Sequence, residues 1–486
     1  MVKFSLSLLT DFYQLTMMQG YLKAGIHNRR AVFDMFYREN PTGSGFAIMA
    51  GVEQLIDYIE NLRFTEEDLD YLREQAIFSD DFIEYLRNFR FTGDICAIPE
   101  GSVVFPGEPL CVVTAPIIEA QFIETALLNI LNHQCLIATK SARVCHAAGE
   151  DSDMVLEFGA RRAQGPDAAI YGARAAVIGG CSATSNVLAG KMFDIPVKGT
   201  HSHSWVMSFD SELEAFSAYA AAFPGRCTLL VDTYDTLGSG VPNAIHIFDE
   251  MRAKGQPMGY YGIRLDSGDF AYLSKESRKM LDAAGHHNAK ITASCDLDEY
   301  LIQSLKLQGA KIDNWGVGTS LITSKDCPAF GGVYKLVAVE SGGAMMPKIK
   351  LSENPEKVTV PGMKKIYRIY DAANHKIKAD LITMADETVD EAEKLILFDP
   401  KAPWKKMHLA PGEFYAKELL VPIFENGKRV YNSPSVMEIR EYSVREQNSL
   451  WEEHRRLTNP HVMPVDLSQK LYDLWQKMIY DARNGH

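Results

Sequence analysis

Gly259-Tyr-Tyr-Gly-Ile-Arg-Leu-Asp-Ser-Gly-Asp-Phe270 carries a complete structural unit in one short stretch. Its apolar first half predicts a strand reaching Arg264, and the cluster Asp266-Ser267-Gly268-Asp269 forms a polar strand end. A helix is expected to start near Phe270, with Asp269 placed to cap it. The same alternation recurs from 153 to 340. Further strands are predicted at Met154-Val-Leu-Glu-Phe158, Pro196-Val-Lys-Gly199, Thr228-Leu-Leu-Val231, Lys290-Ile-Thr-Ala-Ser294 and Asn314-Trp-Gly-Val317. The helical segments between them end near Gly180, Gly255, Gly285 and Gly309, where a left-handed residue is expected. Six successive βα units without a long structureless gap predict an α/β fold whose parallel sheet closes, or nearly closes, into a barrel.

The flanks read differently. Up to about residue 125 the chain is mixed. Thr10-Asp11 caps a first helix with Leu15, Met18 and Tyr21 or Leu22 on one face. Ser79-Asp80-Asp81 caps another through Ile83 to Phe89, and short strands run from Phe91 to Val113 between Gly93, Pro99-Glu100-Gly101 and Pro106-Gly107. A long amphipathic stretch, Ile117 to about Ala148, bridges into the barrel region. After about 340, the segment from Ser352 to Lys365 is loop-like and basic. Strands are expected between 366 and 442, including Leu419–Ile423 and Val436–Ile439, then a helix from Ser443 to Arg456 and a last element from Leu467 to Ala482. This tail is expected to pack back on the N-terminal region. No internal repeat and no low-complexity tract interrupts the chain.

Composition excludes several classes. At 486 residues the chain exceeds one ordinary core and predicts roughly three domains, or two if one is a barrel. A net charge of −13 opposes nucleic-acid binding, which needs a basic face. It leaves small anionic substrates open, because these need only a few local cations. The eight cysteines include no C-x-x-C pair and read as reduced, mostly buried thiols of a cytoplasmic protein. The N-terminal residues do not resemble a signal peptide, and no apolar stretch reaches a membrane span of about 18 residues.

In βα barrels the chemistry sits at the C-terminal strand ends, and here nearly every one is polar. Gly199-Thr200-His201-Ser202-His203-Ser204 brings two imidazoles two residues apart, which in extended geometry point to the same side. A neutral imidazole is a usable nucleophile and phosphate carrier at physiological pH. A metal pair is the rival reading, but no Cys/His ligand set accompanies it. Arg264 with Asp266 and Asp269 suits an anion beside Mg²⁺ or ribose hydroxyls, although an ion pair plus a helix cap explains the same residues. Gly316-Val317-Gly318-Thr319-Ser320 is a glycine-hydroxyl turn suited to phosphate, but it is neither a Walker loop nor a dinucleotide fingerprint. Phe158 with Arg161 and Arg162 offers stacking and charge for a planar anion, or simply a core Phe with surface arginines. Asp232, after Leu229-Leu230-Val231, faintly resembles an acidic ribose-phosphate loop and counts as a strand-end residue only. Asp296 is another strand-end acid.

Taken together, Thr10–Gln14, Glu157–Asp167, Gly199–Ser204, Arg264–Asp269 and Gly316–Thr319 closely resemble nicotinate phosphoribosyltransferase, in that family's order and at compatible spacing over nearly the whole chain. The resemblance implies an irregular βα barrel beside a mixed α+β domain built from both chain ends, divided as 1–130, 131–345 and 346–486. It implies a ligase-like transferase of NAD biosynthesis that joins nicotinate to 5-phosphoribosyl 1-diphosphate. ATP hydrolysis through a phosphohistidine drives the reaction, in a homodimer with shared active sites. By position, His203 would be the phosphohistidine, with His201 the second candidate. Phe158 would stack the pyridine ring and Tyr13 cover its other face from the neighbouring subunit. Arg161 and Arg264 would bind anionic groups, Thr200 would line the nicotinate pocket, and Asp266 would hold ribose hydroxyls or Mg²⁺. Asp296 is counted among the substrate-binding residues, and Gly318 with Thr319 would take the 5-phosphate. Mg²⁺ would come with ATP and the sugar diphosphate, and no tightly bound organic cofactor is implied.

Ser202 stands where the family often has Ala. Thr184-Ser185-Asn186 carries no acid where a nicotinamide-specific relative reads its amide with an aspartate, which favours a carboxylate substrate. The alternatives are nicotinamide or quinolinate on the same scaffold, a non-catalytic homologue, or another phosphate-binding barrel enzyme such as an isomerase or aldolase. The last would need a catalytic Lys or Glu at a strand end, and none stands out.

Overall fold

A computed structural model describes residues 6–149, 154–353 and 357–484. Residues 1–5 of the N-terminal run, 153 at the start of the expected repeat and 354–356 of the expected loop lie outside them. The chain divides into two compact units. One comprises Met1–Leu136, Ala329–Pro434 and Tyr442–His486, the other Ile137–Pro328 and Ser435–Glu441.

The second unit contains the repeated βα pattern. Its strands are β1 (Val155–Glu157), β2 (Ala183–Thr184), β3 (Arg226–Leu230), β4 (Tyr260–Leu265), β5 (Lys290–Ser294) and β6 (Asn314–Val317). Every pairing is parallel, in the order β2-β1-β6-β5-β4-β3. This is the cyclic order of a barrel opened between β2 and β3, giving a curled half-barrel. The expected strand at 196–199 would have helped to fill that seam. Instead it makes one bridge, Thr184 to Val197, with the Thr184 N–H donating to the Pro196 carbonyl and the Lys198 N–H to the Thr184 carbonyl. Pro196 brings no N–H to a ladder and Gly199 no side chain to pack, so the segment stays a loop. The two-residue β2 is too short to show a periodicity in sequence. Gly255, Gly285 and Gly309 end their helices with φ of 63°, 78° and 76°, the left-handed geometry the sequence suggests.

The first unit joins both chain ends in common sheets. Val333–Ser341 pairs antiparallel with Arg30–Phe36, which pairs with Cys111–Pro116, and Val421–Glu425 pairs with Asp94–Ala97. Residues 329–345 therefore belong here, not with the barrel span expected at 131–345. Phe414–Glu418, Lys364–Asp371, Ile377–Met384 and Val465–Leu467 form a second, four-stranded sheet. The strand expected at Val436–Ile439 is instead the start of a helix, Val436–Ser449. Val436, Ile439, Arg440 and Ser443 are all buried, an i, i+3, i+4, i+7 pattern that a four-residue apolar reading conceals. The long stretch from Ile117 breaks at Ile123 into Ile117–Phe122 and Glu124–Ala148.

Candidate active site

Arg264 sits near the end of β4, opposite Leu230 of β3 and Thr292 of β5. Its guanidinium uses each of its three nitrogens. Nε donates to Ser294 Oγ at 2.7 Å, Nη1 to Thr200 Oγ1 at 3.0 Å and Nη2 to Asp266 Oδ1 at 2.6 Å. The Ser294 hydroxyl also donates to Asp266 Oδ1. Burial raises the Asp266 carboxyl, but the Ser294 hydroxyl and the Arg264 charge outweigh it and hold it below the usual carboxylate value. Asp266 is therefore an anion with Oδ2 left without a side-chain partner among the described residues. Phe158, just past β1, lies under the guanidinium, its ring centroid 6.0 Å from Arg264 Cζ. Gly316 of β6 makes room for that ring, since a Cβ there would sit 2.6 Å from it.

The two histidines of the Gly199–Ser204 segment do not point to the same side, because the segment is not extended through His203. His203 opens a short helix, His203–Met207, whereas His201 precedes it in irregular backbone. His201 is buried against Tyr219, with ring centroids 4.7 Å apart, and its Nε2 accepts the Leu230 N–H at 3.2 Å. Leu230 lies on β3, the edge strand at the open seam, so the imidazole satisfies a backbone donor that no neighbouring strand reaches. An Nε2 that accepts puts the ring proton on Nδ1, 3.4 Å from the Ser202 carbonyl. Burial lowers this imidazole to about 4, so it is neutral at physiological pH. The His203 side chain, by contrast, is 40% exposed with Nε2 3.2 Å from Asp232 Oδ1.

Asp232, read from sequence as a strand-end residue only, is the hub of this cluster. Its side chain is 2% exposed. While Oδ1 faces His203, Oδ2 accepts the Asp266 N–H at 2.8 Å and the Ser267 hydroxyl at 2.7 Å. It thereby joins the histidine segment to the Arg264–Asp269 segment. The sequence signal was its place directly after a buried apolar run, Leu229-Leu230-Val231. Ser294, the last residue of β5, was likewise missed as a site residue. Asp269 takes the cap role, accepting the Tyr272 N–H at 2.9 Å.

The remaining expected residues are placed as follows. Arg161 is exposed in a single turn, Ala160–Arg162, which Gly159 links to Phe158, with no side-chain partner among the described residues. Asp296 is exposed beyond β5, following Cys295, whose φ of 98° is rare for a side-chain-bearing residue. Gly318 and Thr319 follow β6, and Thr319 opens the short helix Thr319–Ile322. Tyr13 belongs to the first unit, half exposed, with its hydroxyl 3.4 Å from Glu124 Oε2. Among the described residues no group of three or more His, Cys, Asp or Glu is arranged to hold a metal ion, and no helix is long and apolar enough to cross a membrane. A cation, an anionic carboxylate, an aromatic face and an imidazole backed by a buried acid thus converge at the strand ends. Such a set can bind an anionic planar ring and a phosphate-bearing sugar, and can carry out nucleophilic chemistry.

Comparison with known proteins agrees with this chemistry. The nicotinate phosphoribosyltransferase N-terminal domain matches residues 8–132, the nicotinate phosphoribosyltransferase family 154–320 and the nicotinate phosphoribosyltransferase C-terminal domain 363–475. The nicotinate phosphoribosyltransferase of Bacillus subtilis is 50% identical over 480 residues, covering 99% of this chain and 96% of that one. The crystal structure of human nicotinic acid phosphoribosyltransferase superposes with a TM-score of 0.85 at 31% identity, covering 97% of this chain and all of that one. A nicotinate-nucleotide pyrophosphorylase from Pyrococcus furiosus, at 23% identity and a TM-score of 0.69, shares the fold over 92% of this chain and 99% of that one. Identity of one half, sustained over almost the full length of both chains, shows that this protein belongs to the nicotinate phosphoribosyltransferase family, enzymes of NAD biosynthesis that transfer a phosphoribosyl group to nicotinate.

Proposed function

We propose that the strand-end cluster couples ATP hydrolysis to the condensation of nicotinate with 5-phosphoribosyl 1-diphosphate, with His203 as the transient phosphate carrier. The observation that carries this reading is the division of labour between the histidines. His201 is committed to a backbone N–H, and His203 is exposed with a buried acid behind it. With Nε2–H held by Asp232, the Nδ1 lone pair of His203 attacks the γ-phosphorus of ATP. The N–P bond forms as the P–O bond to ADP breaks, and Asp232 balances the positive charge gained by the ring. Water later cleaves the N–P bond to release phosphate.

In the transfer itself the pyridine nitrogen bonds to C1 of the sugar as the C1–O bond to pyrophosphate breaks, with oxocarbenium-like charge on the ring between them. Phe158 supports the pyridine, Thr200 and Arg264 line the pocket, and Arg161 adds an exposed cation at its rim. The free Oδ2 of Asp266 fits a ribose hydroxyl or the Mg²⁺ that arrives with the two polyphosphates. Asp296 contacts the substrate, and Gly318 with Thr319 takes the 5-phosphate. The exposed Tyr13 of one subunit covers the base bound by the other, in a cytoplasmic homodimer.

Incubation with γ-labelled ATP followed by mapping of acid-labile phosphate tests the assignment. Label is expected on His203, and it is lost in His203→Asn but kept in His201→Gln. His203→Asn should keep weak ATP-independent turnover while losing stimulation by ATP. Label retained in His203→Asn would overturn the assignment.

A further inference from the structure

Glu157, the last residue of β1, is fully buried, and among the described residues no cation pairs with it. Its carboxyl folds over the strand end. Oε1 accepts the Gly159 N–H, and Oε2 accepts the Thr184 hydroxyl at 2.5 Å. Burial pushes the carboxyl up, and these two donors pull it back. For stability alone this is a poor use of an acid, since a buried carboxyl without a cation costs more than an apolar side chain of similar size.

What the carboxyl joins is more informative. On one side it fixes the turn that begins at Phe158, whose own N–H is held by the Val317 carbonyl at 2.8 Å. On the other side it fixes Thr184, the residue to which the Pro196–Lys198 segment is hung by two backbone hydrogen bonds. That segment runs directly into Thr200, His201 and His203. Thr184 Oγ1 accepts the Asn186 N–H at 3.0 Å, so its one hydroxyl proton is committed to Glu157.

We infer that Glu157 is a positioning residue that ties the Phe158 platform to the histidine segment through Thr184, so that base binding and the phosphate carrier are set by one bond. The inference rests on Phe158 being the base platform and His203 the carrier. It places a strand-end glutamate in the site that neither binds substrate nor exchanges protons with it. A Gln at 157 keeps the shape and the Gly159 contact, but it turns an amide N–H toward a hydroxyl that must donate.

Steady-state kinetics of the full chain, with and without ATP, test this on Glu157→Gln, Thr184→Val, the double variant and Thr184→Ser. Glu157→Gln is expected to raise the nicotinate KM about tenfold while the KM for the sugar diphosphate stays within about twofold, and to reduce ATP stimulation about fivefold. Thr184→Val should do the same, and the double variant should be no worse than either single one. Thr184→Ser, which keeps the hydroxyl, should recover most of the nicotinate KM lost in Thr184→Val. A wild-type nicotinate KM in Glu157→Gln, or additive losses in the double variant, would overturn the proposal. If Glu157→Gln does not fold, Thr184→Val against Thr184→Ser decides the matter. His203→Asn run alongside separates the two readings. ATP stimulation surviving in that variant removes the carrier assignment and leaves the nicotinate KM alone to judge Glu157.

Discussion

Each unit holds an arginine at the centre of a polar cluster, and the two clusters differ in their surroundings. In the first unit Arg368 is fully buried. Nη2 meets Asp380 at 2.7 Å, Nη1 meets Glu446 at 2.8 Å, and Nη2 also reaches the Val103 carbonyl at 2.8 Å. Burial, and then the charge of Asp380, push the carboxyl of a further acid, Glu108, well up. In the second unit the Arg264 side chain is 16% exposed and Asp266 24% exposed. Its hydroxyl partners, Thr200 and Ser294, are weaker acceptors than carboxylates. A guanidinium locked between two carboxylates in a dry interior has nothing left for a ligand. One held by two hydroxyls and a single, partly exposed carboxylate at a half-open strand end keeps donors for which a further anion can compete. The charge is the same and the surroundings decide its use.

That contrast can be broken by exchanging readouts. Arg368→Ala leaves buried carboxylates uncompensated and is expected to cost about 3–5 kcal/mol of stability, read as a fall in the denaturant midpoint. Arg264→Ala should lower kcat/KM on the order of 100-fold, about 2.7 kcal/mol of transition-state binding, with a much smaller change in midpoint. If Arg264→Ala proves as destabilising as Arg368→Ala with kcat/KM intact, the distinction fails.

His201 sharpens the contrast inside the site itself. Its folded value of about 4 lies below the unfolded value of about 6.5, so the unfolded chain binds the extra proton between these limits. Stability should therefore fall as pH drops through that window, by about 2 kcal/mol at pH 5 relative to pH 7. His201→Gln should flatten this part of the stability profile, and an unchanged slope would show that His201 is not the buried neutral group. The smallest effect is expected at Gly316→Ala. The added methyl displaces the Phe158 ring, and the nicotinate KM should rise about fivefold, roughly 1 kcal/mol, with the sugar diphosphate KM unmoved.

Much of the second unit was legible in the sequence because its signals are local. An apolar run, a polar end and an amphipathic helix closed by glycine mark each βα unit, and Asp269 fits its cap by its distance from the helix start alone. Arg264, Asp266 and Phe158 stand at strand ends and come together with Thr200, whose expected strand is a loop. The helix at Val436–Ser449 was missed because four residues cannot separate a strand from one turn of a helix. The placement of 329–345 depended on a strand partner some 300 residues earlier, Arg30–Phe36.

Sequence by itself determined the βα repeat, the chemistry-bearing strand ends and the pair of histidines from which a nucleophile could be drawn. It could not order that pair, since two imidazoles two residues apart are equivalent until something is placed beside each. Tertiary structure gave the two rings different surroundings by opening the barrel between β2 and β3. The open edge left the Leu230 N–H without a strand neighbour and turned His201 inward to accept it. The chain then turned into the helix at His203, whose ring came to rest on Asp232. A buried N–H must find an acceptor, and satisfying that requirement with one histidine left the other exposed beside a buried acid.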